Sequence, residues 1–113
     1  MSDTKNILIT GGVGFIGSNL AERLINDGHN VICIDDYSFG KKDNEIDNVK
    51  YINDDIEKIS LIEDEIDICY HLAAKARVQP SFEDPVDYFR VNVKGTMKVM
   101  EWAKKRNVKV VYA

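Results

Sequence analysis

Between the first apolar run of the sequence and its first helical pattern stands Thr10-Gly11-Gly12-Val13-Gly14-Phe15-Ile16-Gly17. A strand that turns into a helix leaves the first helical N–H groups unbonded, with the positive end of the helix dipole at the turn. Phosphate is the ligand such a corner attracts. In a dinucleotide pyrophosphate site each glycine has a task. Gly11 allows the tight exit from the strand, Gly14 lets backbone approach the pyrophosphate, and Gly17 lets the helix pack close to the sheet. A glycine-rich turn also occurs as a plain strand-to-helix junction, so other residues must carry the reading. Asp35 does so. It ends the second apolar run about 20 residues on, where a carboxylate accepts hydrogen bonds from adenosine ribose hydroxyls. Alone, it would be a strand-end turn residue paired with Asp36. No Gly-Lys-Ser/Thr follows the turn, which excludes a nucleoside-triphosphate P-loop. A carboxylate at position 35 would also repel a 2′-phosphate, and no arginine immediately follows the strand. Lys41 and Lys42 could serve NADP only through an unusual loop. The expected cofactor is NAD.

The elements that must hold these residues are short apolar runs alternating with helical patterns. The expected strands are Asn6–Thr10, Asn30–Asp35, Val49–Asn53, Asp67–Ala73 and Val108–Ala113, rich in Ile, Val, Leu or Tyr as buried parallel strands should be. Phe15–Asp27 carries a stripe of Ile16, Leu20, Ala21, Leu24 and Ile25, and Gly28 follows as a helix-ending residue. A longer helix is expected from Pro85 to Arg106. Asp84 is its N-cap, Pro85 its first residue, and Val86, Phe89, Val93, Met97, Met100 and Ala103 repeat along one face. Asp54–Glu65 is a weaker helix candidate, and Phe39–Asn48 a polar loop or broken helix. Such alternation builds a parallel sheet with right-handed crossovers.

The chain has 113 residues, 44% hydrophobic and 30% charged, as one soluble domain should be. A net charge of −4 and a pI near 5.1 speak against nucleic acid or an anionic membrane as partner. No run approaches the ~20 apolar residues of a membrane span, and the polar start is no secretory signal, so the expected compartment is the cytoplasm. Cys33 and Cys69 sit inside apolar strands without ligand-spaced partners and are expected to be buried thiols, with no metal site. His29 is expected at an exposed turn, and His71 as a buried, hydrogen-bonded strand residue rather than an acid or base. Lys104-Lys105-Arg106 sits where a helix C-terminus favours cations.

The Gly-x-x-Gly-x-x-Gly turn resembles that of the extended short-chain dehydrogenases/reductases, specifically the NAD-dependent sugar-nucleotide epimerases and dehydratases. Further segments agree. Asp35-Asp36-Tyr37-Ser38-Phe39-Gly40 with Asn44 is similar to the family's loop around the adenosine, and Asp55-Ile56 to its pair beside adenine. His71-Leu72-Ala73-Ala74 is similar to the wall ending the fourth strand. Ser81-x-x-Asp84-Pro85 and Asn92-Val93-Lys94-Gly95-Thr96 match a family helix. The resemblance implies that Phe15 and Ile16 lie over the pyrophosphate. It also implies that Leu72, Ala73, Ala74 and Lys75 follow the cofactor toward the nicotinamide, near Asn92, and that Ala76–Ser81 borders the substrate. By the residues alone, Asn92 and Gly95 could equally be a polar bond and a close contact inside a packed helix.

In that family a Ser/Thr-rich turn and a Tyr-x-x-x-Lys pair follow the strand matching Val108–Tyr112. The sequence here ends at Ala113. No such pair is expected among Tyr37, Tyr51, Tyr70, Tyr88 and Tyr112, so no catalytic residue is assigned and turnover by the chain alone is not expected. The combined expectation is an α/β, Rossmann-type doubly wound parallel sheet of about five strands in order 3-2-1-4-5, forming one NAD-binding domain over residues 1–113. It would be the N-terminal portion of an epimerase or dehydratase acting on a nucleotide-sugar. The rival readings are a non-catalytic NAD-sensing or scaffolding module and a related steroid or flavonoid reductase, often NADP-linked, which Asp35 disfavours. Val108, Val110, Val111 and Tyr112 would form an apolar edge blunted only by Lys109, and such an edge templates self-association.

Overall fold

In a computed structural model of the chain, residues 4–37, 42–72 and 93–112 are described. Five parallel strands form one sheet: β1 (Asn6–Thr10), β2 (Asn30–Asp35), β3 (Lys50–Asn53), β4 (Ile68–His71) and β5 (Lys109–Tyr112). Their spatial order is β3-β2-β1-β4-β5, as expected. The chain moves outward from β1 to β2 and β3, then returns to place β4 on β1's other side. Thr10 is therefore flanked by Ile34 of β2 and His71 of β4. Ligands of open parallel sheets bind where the order reverses, beyond the strands' C-terminal ends. Here that place lies between β1 and β4, next to the glycine-rich turn.

Period-two alternation assigns the strand residues to two faces. Ile7, Ile9, Val31 and Cys33 point to one, where they pack with Ala21 and Leu24 of helix α1 (Phe15–Asn26). Leu8, Ile34 and Cys69 point to the other. There they meet Val99, Trp102 and Ala103 of helix α2 (Gly95–Arg106), together with Ile56, Ile59, Ile62 and Ile66. The cysteines thus lie on opposite faces, both buried, with burial raising each thiol to about 12.

Both helices end by the same device. After α1, Gly28 takes a left-handed φ of 91°, its N–H donates to Ile25 O, and His29 N–H reaches back to Leu24 O. This is the paired-bond ending for which glycine is the usual residue. After α2, Asn107 adopts φ 58° and Val108 N–H donates to Ala103 O, so asparagine does the work of glycine. Lys104, Lys105 and Arg106 fill the last turn, as expected. Arg106 does more than complement the dipole. Its guanidinium lies 5.9 Å from the Trp102 ring centroid and donates to Asp64 O at 3.2 Å.

Several expectations need correction. Asp54–Glu65 contains not an α-helix but a short 3-10 helix, Ile56–Leu61. Ile16 is not part of the buried stripe of α1; it is 69% exposed, and Gly17 takes the buried place. β4 ends at His71 rather than Ala73, and β3 and β5 begin one residue later than expected. Phe39–Asn48, by contrast, agrees with the expected polar loop or broken helix where it is described, with a 3-10 turn at Lys42–Asn44. His29 is half-buried, and its Nδ1 accepts from Lys5 N–H. Of the predicted helix Pro85–Arg106, the part before Val93 lies outside the described residues, as do Asp84 and Ser81.

Trp102 is 4% exposed, yet its indole N–H has no hydrogen-bond partner among the described residues. An unpaired buried donor costs about 1–3 kcal/mol. Trp102→Phe removes the donor and keeps most of the ring. It should change stability by less than about 1 kcal/mol, against about 3–5 kcal/mol lost for a truncation such as Trp102→Ala. Urea unfolding of the two variants measures the difference.

Candidate functional site

The glycines of the turn after β1 serve different ends. Gly11 has φ 81°, the left-handed region that favours glycine, and its N–H donates to Ile34 O. At Gly12 a Cβ would stand 2.3 Å from Cys33 Sγ, so β2's cysteine fills the space a side chain would need. At Gly17 a Cβ would stand 2.2 Å from Gly11 O and 2.9 Å from Gly12 Cα. The first turn of α1 is therefore pressed against the end of β1, as expected for Gly17. Gly12 is a close-packing residue that sequence reasoning passed over; its tight partner, Cys33, is remote in sequence.

Gly14 is different. As N-cap of α1 it has φ −75° and ψ 173°, open to any residue, and among the described residues a Cβ there would find only Gly11 O, at an ordinary 3.5 Å. Nothing among the described residues requires glycine at this position. No side chain among them caps α1, and its first turn holds no acidic residue. Phe15 and Ile16 flank this bare helix start and stand 80% and 69% exposed.

Asp35 lies at the C-terminal end of β2, half-buried. Its Oδ2 accepts Val13 N–H at 3.1 Å and its Oδ1 accepts Tyr37 N–H at 2.7 Å. Burial raises its pKa, and the two N–H groups act against that rise. Each oxygen keeps a lone pair beyond these bonds. Asn44 Nδ2 donates to Val13 O at 2.9 Å. Asp36 is exposed beside this carboxylate. The next strand end adds Asp54, whose N–H donates to Asp35 O, and Asp55, whose carboxylate accepts Glu57 N–H as cap of the 3-10 helix. The Ile56 side chain is buried among the core isoleucines, which leaves its backbone at the strand end beside Asp55.

Tyr37 has φ 63°, rare for a bulky residue, and its hydroxyl donates to Glu45. Lys41 stands four residues beyond it. That is the Tyr-x-x-x-Lys spacing, and it corrects the expectation that no tyrosine of the chain has such a lysine. The environment argues against catalysis. Burial and the Glu45 carboxylate raise the Tyr37 pKa, the opposite of what a proton-accepting tyrosinate needs.

On the other side of the switch point His71 is 1% exposed. Its Nδ1 lies 2.7 Å from Thr10 Oγ1 and its Nε2 2.8 Å from Thr96 Oγ1 of α2. The imidazole thus joins β1, β4 and α2, as a structural strand residue, and burial lowers its pKa. Leu72 N–H donates to Thr10 O and Oγ1, continuing the ladder beyond β4. Ser38, Phe39, Gly40, Ala73, Ala74, Lys75 and Asn92 lie outside the described residues. Among the described residues no group of His, Cys, Asp and Glu could hold a metal ion, and no helix is long and apolar enough to cross a membrane.

Comparison with known proteins gives this geometry its setting. The sequence profile of the NAD dependent epimerase/dehydratase family matches residues 7–113. UDP-glucose 4-epimerase from Mycolicibacterium smegmatis is 37% identical over 113 residues, which cover 92% of this chain and 36% of that enzyme. UDP-glucuronic acid decarboxylase 1 from Danio rerio is 35% identical over 116 residues, 98% of this chain and 27% of that enzyme. The Bordetella bronchiseptica enzyme WbmF, crystallised with NAD+, superposes with a TM-score of 0.89 at 33% identity, over 96% of this chain and 36% of that one. The chain thus spans about a third of the length of these relatives, or less.

Two measurements follow from the geometry. Gly17→Ala forces backbone apart and should destabilise the fold by about 3 kcal/mol or more, whereas Gly14→Ala should stay within about 0.5 kcal/mol of the parent. Denaturant unfolding of both variants checks the contrast. The second concerns pH. In the unfolded chain His71 titrates near 6.5, and in the fold lower. Between the two values the unfolded state binds more protons, so stability falls as pH drops below the unfolded value and levels off beneath the folded one. Above the unfolded value the imidazole is neutral in both states and contributes no slope. Unfolding curves at several pH values should show this acid loss, and His71→Gln should diminish it.

Proposed function

The chain belongs to the NAD-dependent epimerase/dehydratase family, and we propose that it forms the NAD-binding part of an enzyme that remodels the sugar of a uridine diphosphate sugar. Gly14 carries this reading. Gly11 is explained by its backbone angle, and Gly12 and Gly17 by clashes within the protein. Gly14 is explained by neither, and it stands at a helix start with no side-chain cap and no acidic neighbour in the first turn. Space left bare at an N-terminus suits a pyrophosphate, which would take up the free N–H groups and the dipole.

The other residues fit the same ligand. Asp35 lies where ribose hydroxyls would donate to its remaining lone pairs, and its charge disfavours a 2′-phosphate. Phe15 and Ile16, large apolar residues exposed at the helix start, would cover the pyrophosphate and exclude water. Asp36, Tyr37 and Asp55 would border the adenosine. Leu72, beyond His71, would lead toward the nicotinamide. Ser38, Phe39, Gly40, Ala73, Ala74, Lys75 and Asn92 belong to the reading through the resemblance alone. Bound there, NAD would supply reversible hydride transfer with a sugar carbon. The relatives named for UDP-glucose and UDP-glucuronic acid support a UDP-sugar as substrate. Association into homo-oligomers and a cytoplasmic setting belong to the proposal as well.

The chain should bind NADH more tightly than NADPH, which fluorescence titration measures; tighter NADPH binding overturns the assignment. Asp35→Ala should weaken NADH by roughly tenfold or more, because a charged acceptor is lost, and narrow the gap to NADPH. Gly14→Val should abolish NADH binding while the protein keeps its melting behaviour. Normal binding by that variant would mean the pyrophosphate lies elsewhere.

A further inference from the structure

Val13 is the residue of the turn with three separate holds. Its side chain is fully buried, its N–H is bound by Asp35, and its carbonyl is bound by Asn44. The two hydrogen bonds fix two successive peptide planes. Asp35 sets the plane between Gly12 and Val13, and Asn44 sets the plane between Val13 and Gly14. In a planar trans peptide the carbonyl and the next N–H point opposite ways, so holding Val13 O also aims Gly14 N–H. Among the described residues Gly14 N–H makes one long bond, 3.3 Å to Gly11 O. With glycine on both sides of Val13, the backbone itself supplies little stiffness.

Asn44 is suited to the task. Only its amide nitrogen can donate to a carbonyl, so its orientation is settled by the partner. It closes the 3-10 turn Lys42–Asn44, and Glu45 N–H donates back to Lys42 O. Glu45 also accepts the Tyr37 hydroxyl, and Tyr37 N–H is bound to Asp35. The donor is thus tied to the end of β2 through the same carboxylate that holds the other side of Val13.

We propose that Asn44 is a positioning residue for the cofactor, holding the glycine-rich turn in the form that brings the start of α1 onto a pyrophosphate. This rests on the NAD-binding reading above. Asn44 acts through Val13 and needs no contact with the ligand. Its effect therefore falls on the phosphate-bearing part of a ligand more than on the nucleoside.

The test compares the chain with Asn44→Asp and Asn44→Ala. Asn44→Asp keeps the size, removes the donor and sets a carboxylate against a carbonyl oxygen; Asn44→Ala removes the donor without that repulsion. Binding is measured for NADH, ADP and adenosine, with thermal melting as the control for folding. Losing the bond should weaken NADH and ADP by about five- to tenfold and adenosine by less than about twofold. In the ligand-free variants, amide exchange at Val13 and Gly14 should quicken while Leu8 and Ile34 keep their protection. Unchanged NADH affinity in folded variants overturns the proposal, and so does an equal loss for adenosine and ADP. If the parent chain binds no NADH, the NAD reading fails, and unchanged Val13 and Gly14 exchange in the variants would then separately overturn the role of Asn44.

Discussion

Helix α1 meets the end of β1 at a distance that leaves no room for a side chain. A Cβ on Gly17 would fall 2.2 Å from Gly11 O, and one on Gly12 would fall 2.3 Å from Cys33 Sγ. These two contacts set how far the helix start sits above the sheet, and much of the site follows from that height. The α1 N-terminus is brought directly over the C-terminal ends of β1 and β2. The Val13 peptide comes within reach of Asp35, and Phe15 and Ile16 are carried out into solvent beside the bare turn. A helix held further off would still pack its Ala21 and Leu24, but would no longer share a corner with the carboxylate of β2.

Asp35 does two jobs at that corner. As a partly buried charge it needs donors, and the structure supplies them from the backbone, one from the turn and one from Tyr37. The carboxylate is therefore positioned before any ligand arrives, with lone pairs left to accept hydroxyls. Preorganised acceptors lose little on binding because their ordering is already complete in the folded chain. The same bonds make the residue part of the fold's own hydrogen bonding.

Across the switch point the design is neutral where the Asp35 side is charged. His71 sits between two threonine hydroxyls and joins β1, β4 and α2 in one buried polar chain. Buried polar groups that are fully paired specify a single arrangement, because any shift leaves a donor or acceptor without a partner. The α2 face beneath it tolerates one exception, the indole N–H of Trp102. The ring is large enough, and its contact with Arg106 close enough, for packing to outweigh that loss.

The sheet order and the candidate site at its switch point were legible in the residues because both readings rest on local rules. Strand–helix alternation, period-two burial and a glycine turn before an uncapped helix are written in neighbouring residues. So is Asp35, whose meaning comes from ending the second strand. The tertiary structure alone decided which glycines are demanded by packing, since Gly12, Gly14 and Gly17 look alike until Cys33 and Gly11 O are placed against them. It alone turned Ile16 outward and Ile56 inward, because the stripe of a helix near its first turn depends on where that turn meets the sheet. It also showed that Tyr37, with Lys41 at a suggestive spacing, is bound to Glu45 in a strained backbone conformation. And it brought Asn44 onto Val13 across 31 residues of sequence, a hydrogen bond that no local pattern announces. Periodicity reports which side of an element is buried; the identity of the atom waiting on that side is a property of the folded chain.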